Sequence, residues 1–213
     1  MPFVSRRRLL QALMAQPLLT RIAQAQVRKG TPPKPLPAGA VTHDWTSFLG
    51  PTHNGVSTET KLSRTLPPPL VWEFPKGTSY SSPAIAGDRL LFIHRVGDEE
   101  IVECMDALTG ASRWQFKYGT AFEDRYGYNN GPRSSPVIDG TRVYTMGAEG
   151  KLHCLDLPTG KVVWRRDLTA EYKVPQDFFG TAGTPLLEGR LLIINVGAPG
   201  GPCVVGLDTS TGK

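Results

Sequence analysis

Asp106-Ala107-Leu108-Thr109-Gly110-Ala111-Ser112-Arg113-Trp114 is answered fifty residues later by Asp156-Leu157-Pro158-Thr159-Gly160-Lys161-Val162-Val163-Trp164. Asp, Thr-Gly and Trp keep the same offsets, and Asp208-Thr209-Ser210-Thr211-Gly212 opens a third copy. Upstream of each copy lies a second landmark: Ser82-Pro83, Ser135-Pro136 and Thr184-Pro185, each followed by an aliphatic pair and a Gly. The prolines are 53 and 49 residues apart and the Thr-Gly glycines 50 and 52. Landmarks agreeing on one period near 50 define a structural repeat.

Each unit divides into four short β runs. In the second they are residues 136–138, 142–146, 152–155 and 162–165, separated by Asp-Gly, Glu-Gly and Thr-Gly. Gly supplies the positive φ that tight hairpin turns require, so the spacing predicts meandering antiparallel strands. Four strands in a unit of roughly 40–50 residues is the arithmetic of a propeller blade. No long helix is expected after residue 42. The predicted class is all-β, a β-propeller of four-stranded antiparallel blades, with units near 78–117, 132–167 and 181–213. Trp72, in Leu70-Val71-Trp72-Glu73-Phe74, reads as the fourth strand of a blade whose first three strands are not upstream.

The Asp-x-x-Thr-Gly-x-x-x-Trp unit resembles the quinoprotein-type, pyrroloquinoline-quinone-like β-propeller repeat. Quinoprotein alcohol dehydrogenases and BamB-like outer-membrane-protein assembly factors share it. Asp44-Trp45-Thr46-Ser47-Phe48-Leu49-Gly50-Pro51 with Asn54-Gly55-Val56 is similar to the opening segment of bacterial members. The resemblance covers residues 44–213 and implies that Trp114 and Trp164 dock between neighbouring blades. It also implies a ring of seven or eight blades, so the three units here are expected to be an N-terminal portion completed by further C-terminal blades. A short open half-ring would leave strand edges unpaired.

Charge divides the chain. Its formal net charge is +5, from 24 basic and 19 acidic side chains. Residues 1–25 hold four of the arginines and no acid, so the remainder is close to neutral. Nucleic acid is therefore not an expected partner. No apolar run approaches the 18 or more residues of a membrane-spanning helix, so an integral membrane protein is not expected. Ser5-Arg6-Arg7-Arg8-Leu9-Leu10 leads through an apolar stretch to Ala23-Gln24-Ala25. A basic start, apolar middle and small-x-small end predict an export signal over 1–25. Arg6 and Arg7 before leucines resemble the twin-arginine type. The structural alternative is an amphipathic N-terminal helix. No cysteine follows Ala23 and Ala25, which departs from a lipid-anchored start. Residues 26–41, with Pro32, Pro33, Pro35 and Pro37, predict an extended semi-rigid linker before the repeats of 42–213. Export to the periplasm is the expected location.

Repetition assigns several residue types to structure. Asp106, Asp156 and Asp208 recur with Thr109-Gly110, Thr159-Gly160 and Thr211-Gly212, which suits Asp capping a turn and not a catalytic base. Cys104 and Cys154 occupy equivalent strand positions, too far apart across blades for a disulfide, and read as buried thiols. Cys203 falls in a Gly-rich hairpin. His43, His53, His94 and His153 lie at unrelated spacings and are expected at the surface, with no metal site.

The inter-blade connections are where function is expected, because propellers bind where loops converge on the channel. Residues 118–134 and 174–181 are long and combine aromatics, amides and charge. Tyr128, Asn129, Asn130, Arg133 and Phe179 are the candidates for the channel mouth; the alternative is a satisfied surface loop. The quinoprotein resemblance implies adjacent cysteines against a quinone, a stacking tryptophan and calcium ligands. This sequence has no adjacent cysteines. The expectation is a non-catalytic binding or assembly scaffold with no cofactor, whose protein or small-molecule ligand sits at the propeller face. The alternative is a dehydrogenase oxidising alcohols or sugars with pyrroloquinoline quinone and calcium. No catalytic residue is assigned.

Overall fold

The structure is a computed structural model that describes residues 26–176 and 179–213. The predicted export signal, with Arg6, Arg7, Ala23 and Ala25, lies outside the described residues. Strands β1 (Arg28–Lys29) and β2 (Trp72–Glu73) pair with each other. Blade 1 is the antiparallel sheet β3 (Ala84–Ala86), β4 (Arg89–Val96), β5 (Glu99–Asp106) and β6 (Ser112–Gly119). Blade 2 repeats it with β7 (Val137–Asp139), β8 (Arg142–Met146), β9 (Lys151–Asp156) and β10 (Val162–Asp167). Blade 3 has three strands, β11 (Leu186–Glu188), β12 (Leu191–Asn195) and β13 (Val204–Asp208). One helical turn, α1 (Leu168–Tyr172), follows β10 and is capped by Asp167. Among the described residues, no helix is long and apolar enough to cross a membrane.

Burial follows from stacking. The middle strands β4, β5 and β9 are buried almost continuously, because each sheet is covered on both faces. Blade 1 meets blade 2 through Leu91, Ile93, Val102 and Cys104 against Ile138, Val143, Leu155 and Leu157. Blade 2 meets blade 3 through Tyr144, Met146, Leu152 and Cys154 against Leu192, Ile194 and Leu207. Strands β11 and β12 instead alternate exposed and covered residues. Blade 3 thus has one open face, on which Leu186, Leu191 and Val204 are exposed.

The Asp-x-x-Thr-Gly turn has the same construction in all three blades. Asp106 Oδ1 accepts from the Thr109 backbone N–H at 2.8 Å and its hydroxyl at 2.8 Å. Asp156 does the same with Thr159 at 3.1 and 2.6 Å, and Asp208 with Thr211 at 3.0 and 3.1 Å. Behind Trp114 and Trp164 the ladder slips by one residue, a bulge that re-aims the strand and its indole. Each indole then reaches the next blade: Trp72 Nε1 donates to the Ala107 carbonyl at 3.0 Å, Trp114 to Leu157 at 2.9 Å, and Trp164 to Thr209 at 2.9 Å.

The segment 26–41 is almost wholly exposed and turns at Gly39, but its first part is tied down. Gly30 N–H donates to the Val71 carbonyl at 2.9 Å and Thr31 N–H to Leu70 at 2.7 Å, continuing the β1–β2 pairing.

Candidate functional site

The opening segment lies along the innermost strands. Trp45 exchanges both backbone hydrogen bonds with Ile85 of β3, at 2.9 and 2.8 Å, and Thr46 accepts from Ile138 N–H of β7 at 2.8 Å. Gly50, at φ +74°, closes the turn; a Cβ there would meet the Trp45 ring at 2.7 Å. Ser47 is buried, while Phe48 and Leu49 are exposed. Together with His53, Arg133, Thr184 and Leu186 they line a groove of about 310 Å3 facing blade 3. Below it, hydroxyls link the blades: Ser82 N–H donates to Ser135 Oγ and Ser135 N–H to Thr184 Oγ1, both at 3.0 Å.

Arg133 joins this groove to the long loop between blades 1 and 2. Its Nη2 is 2.7 Å from Asp124 Oδ2 and 3.0 Å from the Asn129 carbonyl. Its guanidinium lies over the rings of Tyr80 (5.2 Å), Phe122 (5.4 Å) and Phe179 (5.4 Å). Burial alone would raise the Asp124 pKa. Hydrogen bonds from Tyr126 and Asn129 N–H and the Arg133 charge overcome it and hold the carboxyl below the usual range. Asn130 Oδ1 accepts from Asp124 N–H at 2.8 Å and Asn129 Oδ1 from Gly131 N–H at 2.7 Å. Arg95 clamps the same loop from beneath, donating to the Phe122 and Asn130 carbonyls.

The five sequence candidates are therefore brought together, but with divided roles. Arg133, Asn129 and Asn130 spend their polar groups inside the loop. Tyr128 and Phe179 face outward, 6.5 Å apart by ring centroid, and Tyr126 completes the triangle at 6.2 and 6.1 Å. These three and Tyr80 are 46–71% exposed. Tyr80, Phe122, Asp124, Phe48 and Leu49 were not among the candidates. One signal for Tyr80 exists in the repeat: it stands three residues before Pro83, as Arg133 stands three before Pro136.

Two histidines correct the surface expectation. His94 is 2% and His153 5% exposed. His94 Nδ1 accepts from Gly77 N–H at 2.7 Å, and its Nε2 lies 3.2 Å from Glu103 Oε1, which also accepts from Gln115 at 2.7 Å. His153 packs against Phe116 and Tyr118 at 4.9 and 4.4 Å. Both sit on strands covered on both faces, where a polar residue has no solvent side to turn to. His43 and His53 line separate grooves.

Two tryptophans of the repeat are not free to stack on a quinone. Trp114 and Trp164, which could stack on a flat ring, are committed to the next blade through Gly160 and Gly212. Cys104 and Cys154 lie in different inter-blade cores, and burial pushes both thiols up to about 11. Cys203 is exposed in the β12–β13 hairpin. Among the described residues, no three His, Cys, Asp or Glu side chains converge as a metal site.

The chain is similar in sequence and fold to several known proteins. The family profile described as outer membrane protein assembly factor BamB matches residues 97–213. A curated relative, outer membrane protein assembly factor BamB of Aliivibrio fischeri, is 43% identical over 44 residues, covering 21% of this chain and 11% of that protein. Among solved structures, BamB from Moraxella catarrhalis aligns with a TM-score of 0.49 and 24% identity, over 67% of this chain and 40% of that one. Quinohemoprotein alcohol dehydrogenase from Comamonas testosteroni aligns at 0.47 and 21%, over 65% and 20%. The chain spans less than half the length of each of these relatives. With more than half of its own length matched by the profile, the chain belongs to the family of outer membrane protein assembly factor BamB.

Proposed function

We propose that this chain belongs to an exported, non-catalytic scaffold that holds an outer membrane polypeptide during assembly, at the face where its inter-blade loops meet the opening segment. The observation that carries this reading is the outward aromatic surface of Tyr126, Tyr128 and Phe179 set on a half-buried Arg133, beside exposed Phe48, Leu49 and Leu186. Contiguous exposed apolar groups on a rigid support mark an interaction site, and aromatic anchors dominate binding energy. Family membership supports the assembly role, since the relatives carry it in their names. The exposed apolar face of blade 3 supports a further blade stacked there. Residues 1–25 act as a twin-arginine-type signal that delivers the protein to the periplasm, and 26–41 as the linker.

The test is fluorescence anisotropy of a labelled, urea-unfolded outer membrane β-barrel polypeptide, diluted into the full chain. Saturable binding that weakens at least about tenfold in the Tyr128→Ala/Phe179→Ala variant is the expected result. Binding unchanged in that variant removes the site. A rise in thermal stability on adding pyrroloquinoline quinone that requires calcium would replace the scaffold reading with a quinoprotein enzyme.

A further inference from the structure

Between the outer halves of blades 1 and 2 lies a groove of about 420 Å3, remote in sequence from the opening segment. Tyr118 of β6, Lys151 and His153 of β9, Arg165 and Arg166 of β10 and Glu171 of α1 line it. Most of its charge is internally spent. Arg166 Nε lies 2.8 Å from both Glu171 carboxylate oxygens, and Lys151 Nζ donates to Glu149 at 2.8 Å. Asp167, at the rim, caps Ala170 N–H at 2.9 Å. Arg165 has no ion-pair partner among the described residues; the charges around the groove balance, Lys151, Arg165 and Arg166 against Glu149, Asp167 and Glu171, but the Arg165 guanidinium itself is left unpaired.

His153, which lines the groove, also has unused hydrogen-bonding capacity, and Thr145 beside it, outside the lining, has the same. His153 stands opposite Arg165 in the β9–β10 register and opposite Thr145 in the β8–β9 register. His153 Nδ1 and Thr145 Oγ1 are buried and neither has a hydrogen-bond partner. Buried polar groups are nearly always paired, and each exception asks for an occupant. Burial first, and then the charges of Arg165 and Lys151, bring the His153 pKa down to about 4, so at neutral pH the imidazole is a neutral hydrogen-bonding group.

We propose that this inter-blade groove binds a carboxylate, with the Arg165 guanidinium clasping it and His153 at its floor hydrogen-bonding a neighbouring polar group of the same ligand. A planar guanidinium with its fork free matches a carboxylate bidentately. The volume admits a small hydroxy acid or one acidic side chain of a peptide. The site is separate from the aromatic loop face, so its fate does not depend on the scaffold reading.

The test is calorimetric titration of the full chain with two probes, D-glucuronate and a capped Gly-Asp-Gly peptide, against D-glucose and Gly-Asn-Gly. Saturable binding of one acidic probe and not of its neutral analogue is expected, and which probe binds names the source of the carboxylate. Arg165→Gln, an exposed change whose folding is checked by its melting curve, weakens binding at least about tenfold. By NMR, the His153 pKa rises on saturation, because a bound anion favours the imidazolium. Binding of neither acidic probe, equal binding by Arg165→Gln, or an unmoved His153 pKa would overturn the proposal.

Discussion

Trp114 and Gly160 form one joint between blades. The indole lies across the bare face of the glycine, whose φ is +71°, while its Nε1 bonds the Leu157 carbonyl of the same turn. A Cβ at Gly160 would stand 2.5 Å from Trp114 Cε3. Trp72 with Gly110 and Trp164 with Gly212 repeat the joint. The glycine of the Thr-Gly pair is thus required twice, by its own turn and by its neighbour's tryptophan.

Two alanine substitutions separate those requirements. Gly160→Ala strains the left-handed backbone and also displaces the indole. Gly140→Ala strains a residue at φ +51° with nothing within 4 Å of its new methyl. Urea unfolding is expected to show a loss of about 1 kcal/mol for Gly140→Ala and about 2–4 kcal/mol for Gly160→Ala. Equal losses would mean that the joint adds nothing to the turn.

The three thiols differ in environment and should differ in reactivity. Cys104 and Cys154 are buried with pKa values pushed up to about 11, and Cys203 is exposed. The thiolate is the reactive form. An aromatic disulfide reagent at pH 8 should label one thiol of the native protein and all three after unfolding. Rapid labelling of a second native thiol would contradict the blade-to-blade packing.

The blades were legible because repetition forces one local solution three times: Asp106, Thr109, Gly110 and Trp114 reappear at fixed offsets, and each has a local or nearest-neighbour partner. His94 and His153 were not legible, since strand periodicity indicates a solvent side only where one face is open, as in β12. The site divides the same way. The loop of Tyr128, Asn129, Asn130 and Arg133 stood out by composition, but its Arg133 turns inward to Asp124, nine residues upstream, instead of out to a channel. The pairing of Trp45 with Ile85 and of Thr46 with Ile138 leaves no local pattern, because tertiary contacts between distant segments set that register.

Replacing Arg133 by Lys tests whether that inward turn holds the loop. Lysine keeps the charge beside Asp124 but loses the planar fork and the ring contacts with Tyr80, Phe122 and Phe179. Hydrogen exchange at the Tyr126, Asn129 and Gly131 amides should speed up by about tenfold while that of β5 stays unchanged. Because the Asp124 pKa is held down in the folded state, its contribution is present above the ordinary carboxylate pKa and is lost as pH falls through the depressed value. The wild-type loop should therefore keep its protection to lower pH than the variant. Exchange unaltered by Arg133→Lys would make the aromatic surface independent of its supposed support.

Glu100 makes the last prediction, with the opposite sign. Its side chain is fully buried between blades 1 and 2, where one carboxylate oxygen accepts from Ala148 N–H at 2.9 Å. Gly147 lets the carboxyl approach closely, since a Cβ there would collide with the other oxygen. Burial raises the Glu100 pKa despite the Ala148 hydrogen bond. A carboxyl raised in the folded state binds its proton more tightly there than in the unfolded chain. Its contribution is full below the ordinary glutamate pKa and declines as pH climbs from that value through the raised one. Glu100→Gln keeps the acceptor for Ala148 and removes the charge. It should raise stability at pH 7.5 by about 1 kcal/mol, or about 2–4 °C in Tm, with the gain shrinking towards pH 4. Melting curves of the two proteins across that range decide it. A destabilised Gln variant at pH 7.5 would mean that the ionised carboxylate is itself a favourable part of the joint between these blades.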